Sequence, residues 1–240
     1  MICKLADFLV EFKNPSRQVE EFFKDYIHDG VPQVSFEINE QDIDFENTLM
    51  NGKYGRFNNE LSAMLRKFTI WSLDENAIFL HSALIDVDGV GVAFAAPSGT
   101  GKTTHMRLWQ QLLGDKVIVV NGDKPTVRFF EDIKFPVGYG TPWNGKEMLG
   151  INGKTNIKHF CFIERSEINS CEQMNPSDSL QLFFQQIFIS RDNIPMMIKT
   201  LKLADKFLKN VAVWKIKCNM DISAAKVAYD TIFKENTNEA

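Results

Sequence analysis

Long apolar runs are missing from this chain. None approaches the roughly 20 residues needed to span a bilayer, and Lys4, Asp7 and Glu11 break up an N-terminus that would make a poor secretion signal. Close cysteine pairs are missing too. The four cysteines, Cys3, Cys161, Cys171 and Cys218, are too scattered for a zinc site and read as reduced structural thiols. The four histidines are equally dispersed, so no histidine metal cluster is visible. Positive charge is not in surplus: 27 Lys and Arg against 31 Asp and Glu leave a net −4, which gives no electrostatic reason to expect nucleic acid or an anionic membrane as a partner. There is no internal repeat, and no low-complexity stretch beyond the polar tail from Lys234 to Ala240. These absences leave a cytoplasmic protein as the expectation.

What is present suits a globular enzyme. A chain of 240 residues, 44% of them hydrophobic, buries a sizeable core. The expected division is an N-terminal α+β lobe at 1–75, an α/β core at 76–234 and a frayed tail at 235–240. In the N-terminal part, Asn14 and Pro15 look like a helix start, with Val19, Phe22, Phe23, Tyr26 and Ile27 as one apolar stripe. Val34 to Ile38 alternates like a half-exposed strand, and Leu61 to Trp71 reads as a further helix.

Most chemistry is concentrated in Ala96-Pro97-Ser98-Gly99-Thr100-Gly101-Lys102-Thr103, a phosphate-binding loop in which only the first glycine is replaced, by Ala96. Backbone N–H groups must curl around an anion, which Gly99 and Gly101 permit. Lys102 reaches the β and γ phosphates as a point charge, the Thr103 hydroxyl ligates Mg²⁺, and the following helix N-terminus, with Thr104 in its first turn, adds partial positive charge. Ser98, Gly99, Thr100, Gly101, Lys102, Thr103 and Thr104 are therefore the candidate nucleotide-binding residues. The context fits. The apolar Val90 to Ala95 precedes the loop as a strand buried on both faces, while Met106, Trp109 and Leu113 follow it at helical spacing, with Gly114 as the stop.

Downstream, the apolar run Val117 to Val120 leads through Asn121 and Gly122 to Asp123, placing a carboxylate where α/β sheets hold Mg²⁺ through water. A plain Asn-Gly-Asp turn into Thr126 to Phe130 is the alternative. A third constellation, Gly138 to Glu147, is dense in turn formers yet carries Trp143, Lys146 and Glu147. Folded over a bound phosphate, it would set Lys146 against developing charge and Glu147 near the metal. A solvated hairpin tip fits both residues equally well. Arg165 is a candidate for a phosphate contact or a surface ion pair, and Arg191 for a phosphate-facing side chain. The remainder reads as scaffold: a strand from Ile157 to Ile163, helices after Asn175-Pro176 and Asn193, a strand through Trp214, and a last helix through Ile232.

The series Leu80-His81-Ser82-Ala83-Leu84-Ile85-Asp86, Gly89-Val90-Gly91-Val92 and Ser98 to Thr103 resembles the catalytic core of HPr serine kinase/phosphorylase. Ser98 to Thr104 is also similar to the kinase loop of ATP-dependent phosphoenolpyruvate carboxykinase, which shares that fold. Small HPr-kinase-like proteins of peptide-modification systems likewise combine an Asn-Gly-Asp segment with a Gly-x-Pro-Trp-x-Gly-Lys-Glu loop. The resemblance covers roughly residues 77 to 165. It implies an α/β P-loop kinase core of the HPr kinase/phosphoenolpyruvate carboxykinase type. It also implies that His81, which alone would read as a core histidine on an apolar strand, stands beside the γ-phosphate or the incoming hydroxyl. Asp123 would be one position of a paired acidic motif whose other position here is Gly122, leaving Asp123 or His81 as the base.

The expected function is accordingly transfer of the γ-phosphoryl group of ATP, or another nucleoside triphosphate with Mg²⁺, to a serine or threonine hydroxyl of a peptide or small protein. His81, Lys102, Asp123 and Lys146 are the candidate catalytic residues, and Thr103, Asp123 and Glu147 the candidate metal ligands. A small-molecule P-loop kinase and a nucleotide-binding regulatory module with little catalysis are the alternatives. Assembly as a homo-oligomer is left open by the sequence.

Overall fold

The computed structural model describes residues 1–97, 99–188 and 193–234. Ser98, Arg191 and the tail 235–240 lie outside the described residues. The protein is a mixed α/β molecule. No described helix is long and apolar enough to cross a membrane.

The N-terminal part opens with a hairpin that the sequence reading did not anticipate. Strands β1 (Ile2–Leu5) and β2 (Phe8–Lys13) pair antiparallel around Ala6 and Asp7, both at positive φ. Such angles match the right-handed twist of the flanking strands. The apolar stripe read as one helix is divided: α1 (Arg17–Phe22) gives way to a single 3₁₀ turn at Lys24–Tyr26. Ile27 then bridges to Cys3. Strand β3 (Val34–Glu37) adds in parallel to β2. Helix α2 (Glu40–Leu49) follows, started by a capping box between Asn39 and Asp42, and α3 (Arg56–Ser72) completes this part.

The central sheet begins with β4 (Ala77–Phe79), β5 (Ala83–Val87) and β6 (Val90–Ala95). Helix α4 (Lys102–Leu113), β7 (Val117–Asn121), β8 (Thr126–Arg128), β9 (Val137–Tyr139), β10 (Lys154–Arg165) and β11 (Ser170–Gln173) follow. Then come α5 (Pro176–Phe184), α6 (Ile194–Asn210), β12 (Ala212–Cys218) and α7 (Ile222–Lys234). The strand order is β4-β8-β9-β10-β6-β5-β7, with β12 also on β10 and β11 on β12. Strand β10 joins the antiparallel part to the parallel one: its start pairs antiparallel with β9, its remainder parallel with β6 and β12.

Alternate residues of the central strands feed two cores, as a period of two requires. Ala93, Ala95, Phe160 and Phe162 face Phe183 and Phe207 on the side covered by α5 and α6. Val92, Phe94, Cys161 and Ile163 face Met106, Trp109, Ala225 and Ala228 on the side covered by α4 and α7. A third core joins Phe8, Phe12, Phe23 and Phe68 of the N-terminal part to Phe79, Tyr139 and Trp143, so aromatic packing runs across the expected boundary at residue 75. No disulfide joins the cysteines, and Cys3, Cys161 and Cys218 are buried.

Two of the dispersed histidines are core residues. His105 accepts from the indole N–H of Trp109 at 3.1 Å, and His159 accepts from that of Trp214 at 3.2 Å. Burial pushes both rings down to about 4, with the Lys158 charge contributing at His159. Both are neutral in the fold and must charge in acid. The folded value lies below the unfolded one, so the stabilisation is present above about pH 6.5 and is lost as pH falls toward 4. Denaturant unfolding should therefore show a loss of about 2–3 kcal/mol per ring between pH 7.5 and 4.5. The pair of substitutions His105→Gln and His159→Gln, which keep an acceptor for each indole, should flatten that slope. An unchanged slope would exclude these rings as its source.

Candidate functional site

The glycine-rich loop leaves β6 and enters α4 as the sequence reading expects. Gly99 and Gly101 adopt φ of +79° and +125°, values that a side chain would penalise. Gly101 is the N-cap of α4, and among the described residues no side chain caps that end or competes for its first-turn N–H groups. Arg165, at the end of β10, donates through Nε to the Thr100 carbonyl at 3.0 Å and through Nη2 to that of Gly99. It thus straps the loop on its carbonyl side, a contact the sequence reading, which weighed a phosphate contact or a surface ion pair, did not include. Thr103 is half-buried and Thr104 exposed.

Lys102 is buried, and its Nζ donates to the Ala96 carbonyl at 3.1 Å and stands 3.2 Å from Nε2 of His81. Burial lowers the affinity of this ammonium for its proton; the Asp123 charge opposes that and the Lys124 charge adds to it.

Strand order brings the histidine here. His81 lies in the link between β4 and β5, not on a strand as the sequence suggests. Its N–H donates to the Gln186 carbonyl at 2.7 Å. Strand β5 runs antiparallel to both β6 and β7. Its first residues therefore sit beside the last ones of its neighbours, Ala83 opposite Phe94 and Leu84 opposite Asn121.

Asp123 is presented by a turn that Asn121 builds. The Asn121 side chain is fully buried; its Oδ1 accepts from the N–H groups of Asp123 (2.9 Å) and Lys124 (2.7 Å). Its Nδ2 donates to Thr141, whose hydroxyl donates to the Lys124 carbonyl at 2.7 Å. In the turn so fixed, Asp123 Oδ1 lies 3.3 Å from His81 Nε2, and Oδ2 accepts from Lys124 Nζ. Burial pushes the Asp123 carboxyl up, but the hydrogen bond from His81 and the charge and hydrogen bond of Lys124 outweigh it and hold it well below the usual carboxylate range. One ring nitrogen thus faces both Lys102 and Asp123. As N–H it donates to the carboxylate, and as a lone pair it accepts from the ammonium; it cannot do both at once.

The Gly138 to Glu147 segment is not a solvated hairpin throughout. Thr141, Pro142 and Trp143 are buried. Trp143 donates to the Leu61 carbonyl at 3.0 Å and stacks on Phe68 with ring centroids 6.3 Å apart. Its exposed tip, by contrast, holds Lys146 and Glu147, and Glu147 pairs with Arg107 of α4. Gly145 abuts Asp123, where an added Cβ would stand 3.1 Å from that of the aspartate. Among the described residues no three His, Cys, Asp or Glu side chains gather as a metal site. Thr103 and Asp123 remain as hard oxygen donors, a set that suits Mg²⁺ carried by phosphate oxygens, since that ion commonly takes one or two carboxylates and keeps several waters.

Asn121, Lys124, Thr141 and Arg165 complete the site; the sequence offered Arg165 as a candidate contact, Asn121 and Thr141 only as members of turn-forming segments, and Lys124 not at all. The order of strands is that of a mixed α/β protein with a strand, glycine-rich loop and helix at its centre. No family model matches the chain, and no curated protein matches it. Among solved structures it is similar to the HPr(Ser) kinase/phosphatase from Coxiella burnetii, at 9% identity and a TM-score of 0.39, over 68% of this chain and 99% of that one. That likeness is too slight to carry a role to any residue.

Gly122 has a steric reason. A Cβ there would lie 2.6 Å from the Asn144 carbonyl oxygen and 3.0 Å from that of Leu149, both backbone atoms of the loop that carries Gly145. Gly122→Asp should therefore destabilise by about 1–3 kcal/mol without adding a usable carboxylate, and Gly122→Ala should show most of the same loss. Thermal melts of the two variants check this, and an unshifted midpoint for Gly122→Ala would rule the clash out.

Proposed function

We propose that this protein binds a nucleoside triphosphate with Mg²⁺ and transfers its γ-phosphoryl group to a hydroxyl on a peptide or small protein. The carrying observation is the convergence of Lys102 and Asp123 on His81, at 3.2 and 3.3 Å, beside the glycine-rich loop. Supporting it, Ser82, Asn144 and Gln186 each leave a buried side-chain polar atom without a partner among the described residues. These three residues adjoin the site through their backbones. Ser82 N–H donates to the Asp123 carbonyl, the Gln186 carbonyl accepts from His81 N–H, and the Asn144 carbonyl lies against Gly122. Buried polar atoms in that state call for a polar ligand or water. The hydroxyl acceptor is the reading favoured by the resemblance of the His81, loop and Asp123 series to HPr-kinase-like proteins.

In this reading the chain acts mainly by positioning and charge, since phosphoryl transfer needs little covalent help from the protein. Lys102 leaves the Ala96 carbonyl and His81 for the β and γ phosphates, while the uncapped N-terminus of α4 faces the same anion. Arg165 keeps the loop carbonyls turned away from it. Mg²⁺, when bound, neutralises charge on the phosphate oxygens, with Thr103 and Asp123 as its protein donors. Asp123, held far below the ordinary carboxylate range, is a poor proton acceptor at neutral pH. It orients His81, whose ring takes the hydroxyl proton. A nucleotide-binding module with feeble catalysis is the second reading, favoured by the loop backbone that excludes a carboxylate at position 122.

Incubation with γ-labelled ATP, Mg²⁺ and a peptide panel separates the two. Label should reach serine or threonine in wild type, be lost by at least about 100-fold in Lys102→Ala, and fall in His81→Asn and Asp123→Asn. Tight ATP binding without transfer to any peptide or small hydroxyl would replace the kinase reading with the binding module.

A further inference from the structure

Lys124 is a cation at this site that the phosphate-loop pattern does not ask for. Its backbone is pinned on both sides, by Asn121 Oδ1 on its N–H and by the Thr141 hydroxyl on its carbonyl, each at 2.7 Å. Asn121 and Thr141 are fully buried, so this residue has a built position. Its ammonium lies on Asp123 Oδ2 while His81 faces Oδ1. Both oxygens of the single carboxylate are therefore engaged by the protein's own groups. Any divalent ion that uses Asp123 competes with one of them, and no carboxylate fits at Gly122 to take its place. The Lys124 side chain is 39% exposed, which leaves its flexible four-carbon stem free to swing.

The geometry points to Lys124 as a displaceable cation: it holds Asp123 when no ligand is present, yields the carboxylate to the incoming metal, and then binds the terminal phosphate of the nucleotide. This rests on the nucleotide reading above. Once Asp123 is taken by a metal, two lysine ammoniums and a helix N-terminus are left facing one another across a half-buried site, a disposition that only a polyanion relieves. Metal and triphosphate then bind with positive coupling, each weakly without the other.

The test uses wild type, Lys124→Met, Lys124→Arg and Lys102→Ala, with calorimetric ATP titration in Mg²⁺ and Mn²⁺ titration without nucleotide followed by electron paramagnetic resonance. Lys124→Met should weaken ATP about tenfold, the loss of one charge-assisted contact, yet tighten Mn²⁺ alone by about threefold, because its competitor for Asp123 is gone. Lys124→Arg should retain ATP affinity within about threefold. Opposite signs for the two ligands are a signature that a purely structural role does not produce. Unchanged ATP affinity in Lys124→Met, or parallel loss of both ligands together with a lowered melting temperature, overturns the proposal. The failure of the underlying reading looks different: folded wild type would then bind no ATP, and Lys102→Ala would change nothing.

Discussion

Strand β5 runs antiparallel between β6 and β7, and the site depends on that one reversal. Parallel neighbours deliver their C-terminal ends to the same edge of a sheet, which is why the glycine-rich loop after β6 and the aspartate after β7 arrive together. The reversed strand contributes its beginning there, so the link that enters it, with His81, arrives as well. Hydrogen-bond ladders fix this register; Ala83 lies opposite Phe94, and Leu84 opposite Asn121. Burial on both faces makes the register costly to slip.

Charge at this edge is balanced narrowly. One carboxylate stands among Lys102, Lys124 and His81, with a helix N-terminus beside it. Burial raises the cost of every unpaired charge, and Asp123 answers that cost by engaging both oxygens. The same balance leaves the site short of negative charge. The packing that holds this arrangement reaches far beyond it: Trp143, seated among Phe23, Phe68 and Phe79, anchors the loop whose backbone closes over Gly122 and whose Gly145 touches Asp123. The N-terminal part thereby packs around the loop that touches Asp123.

Some of this was legible in the residues. The strand, loop and helix around Gly99 to Lys102 are local in sequence, and their apolar spacing and glycines are tied to the backbone they must form. Asp123 at a strand end was legible for the same reason. His81 was legible only through the resemblance, since a single histidine in an apolar stretch looks like a core residue, and its company is set by strand order. Its two core counterparts, His105 and His159, show how little the residue type alone decides. The first hairpin was missed because its turn, Ala6-Asp7, lacks the glycine or asparagine that usually signals positive φ. Arg165 was read as a phosphate or surface contact, because nothing in the sequence states that β10 ends beside the loop.

Gly122 separates the two kinds of information most sharply. As a letter it marks a carboxylate that a resemblance would lead one to expect and that is absent; in the fold it marks the place where the backbone at Asn144 and Leu149 comes too near for any side chain. By itself the sequence determined the glycine-rich loop, the acidic strand end and the apolar strands that carry them, all features whose causes lie within a few residues. Only the tertiary structure decided that His81 and Lys124 share one carboxylate and that Arg165 straps the loop. Those contacts join residues from different strands and loops, and their distances follow from strand order and core packing rather than from any local preference.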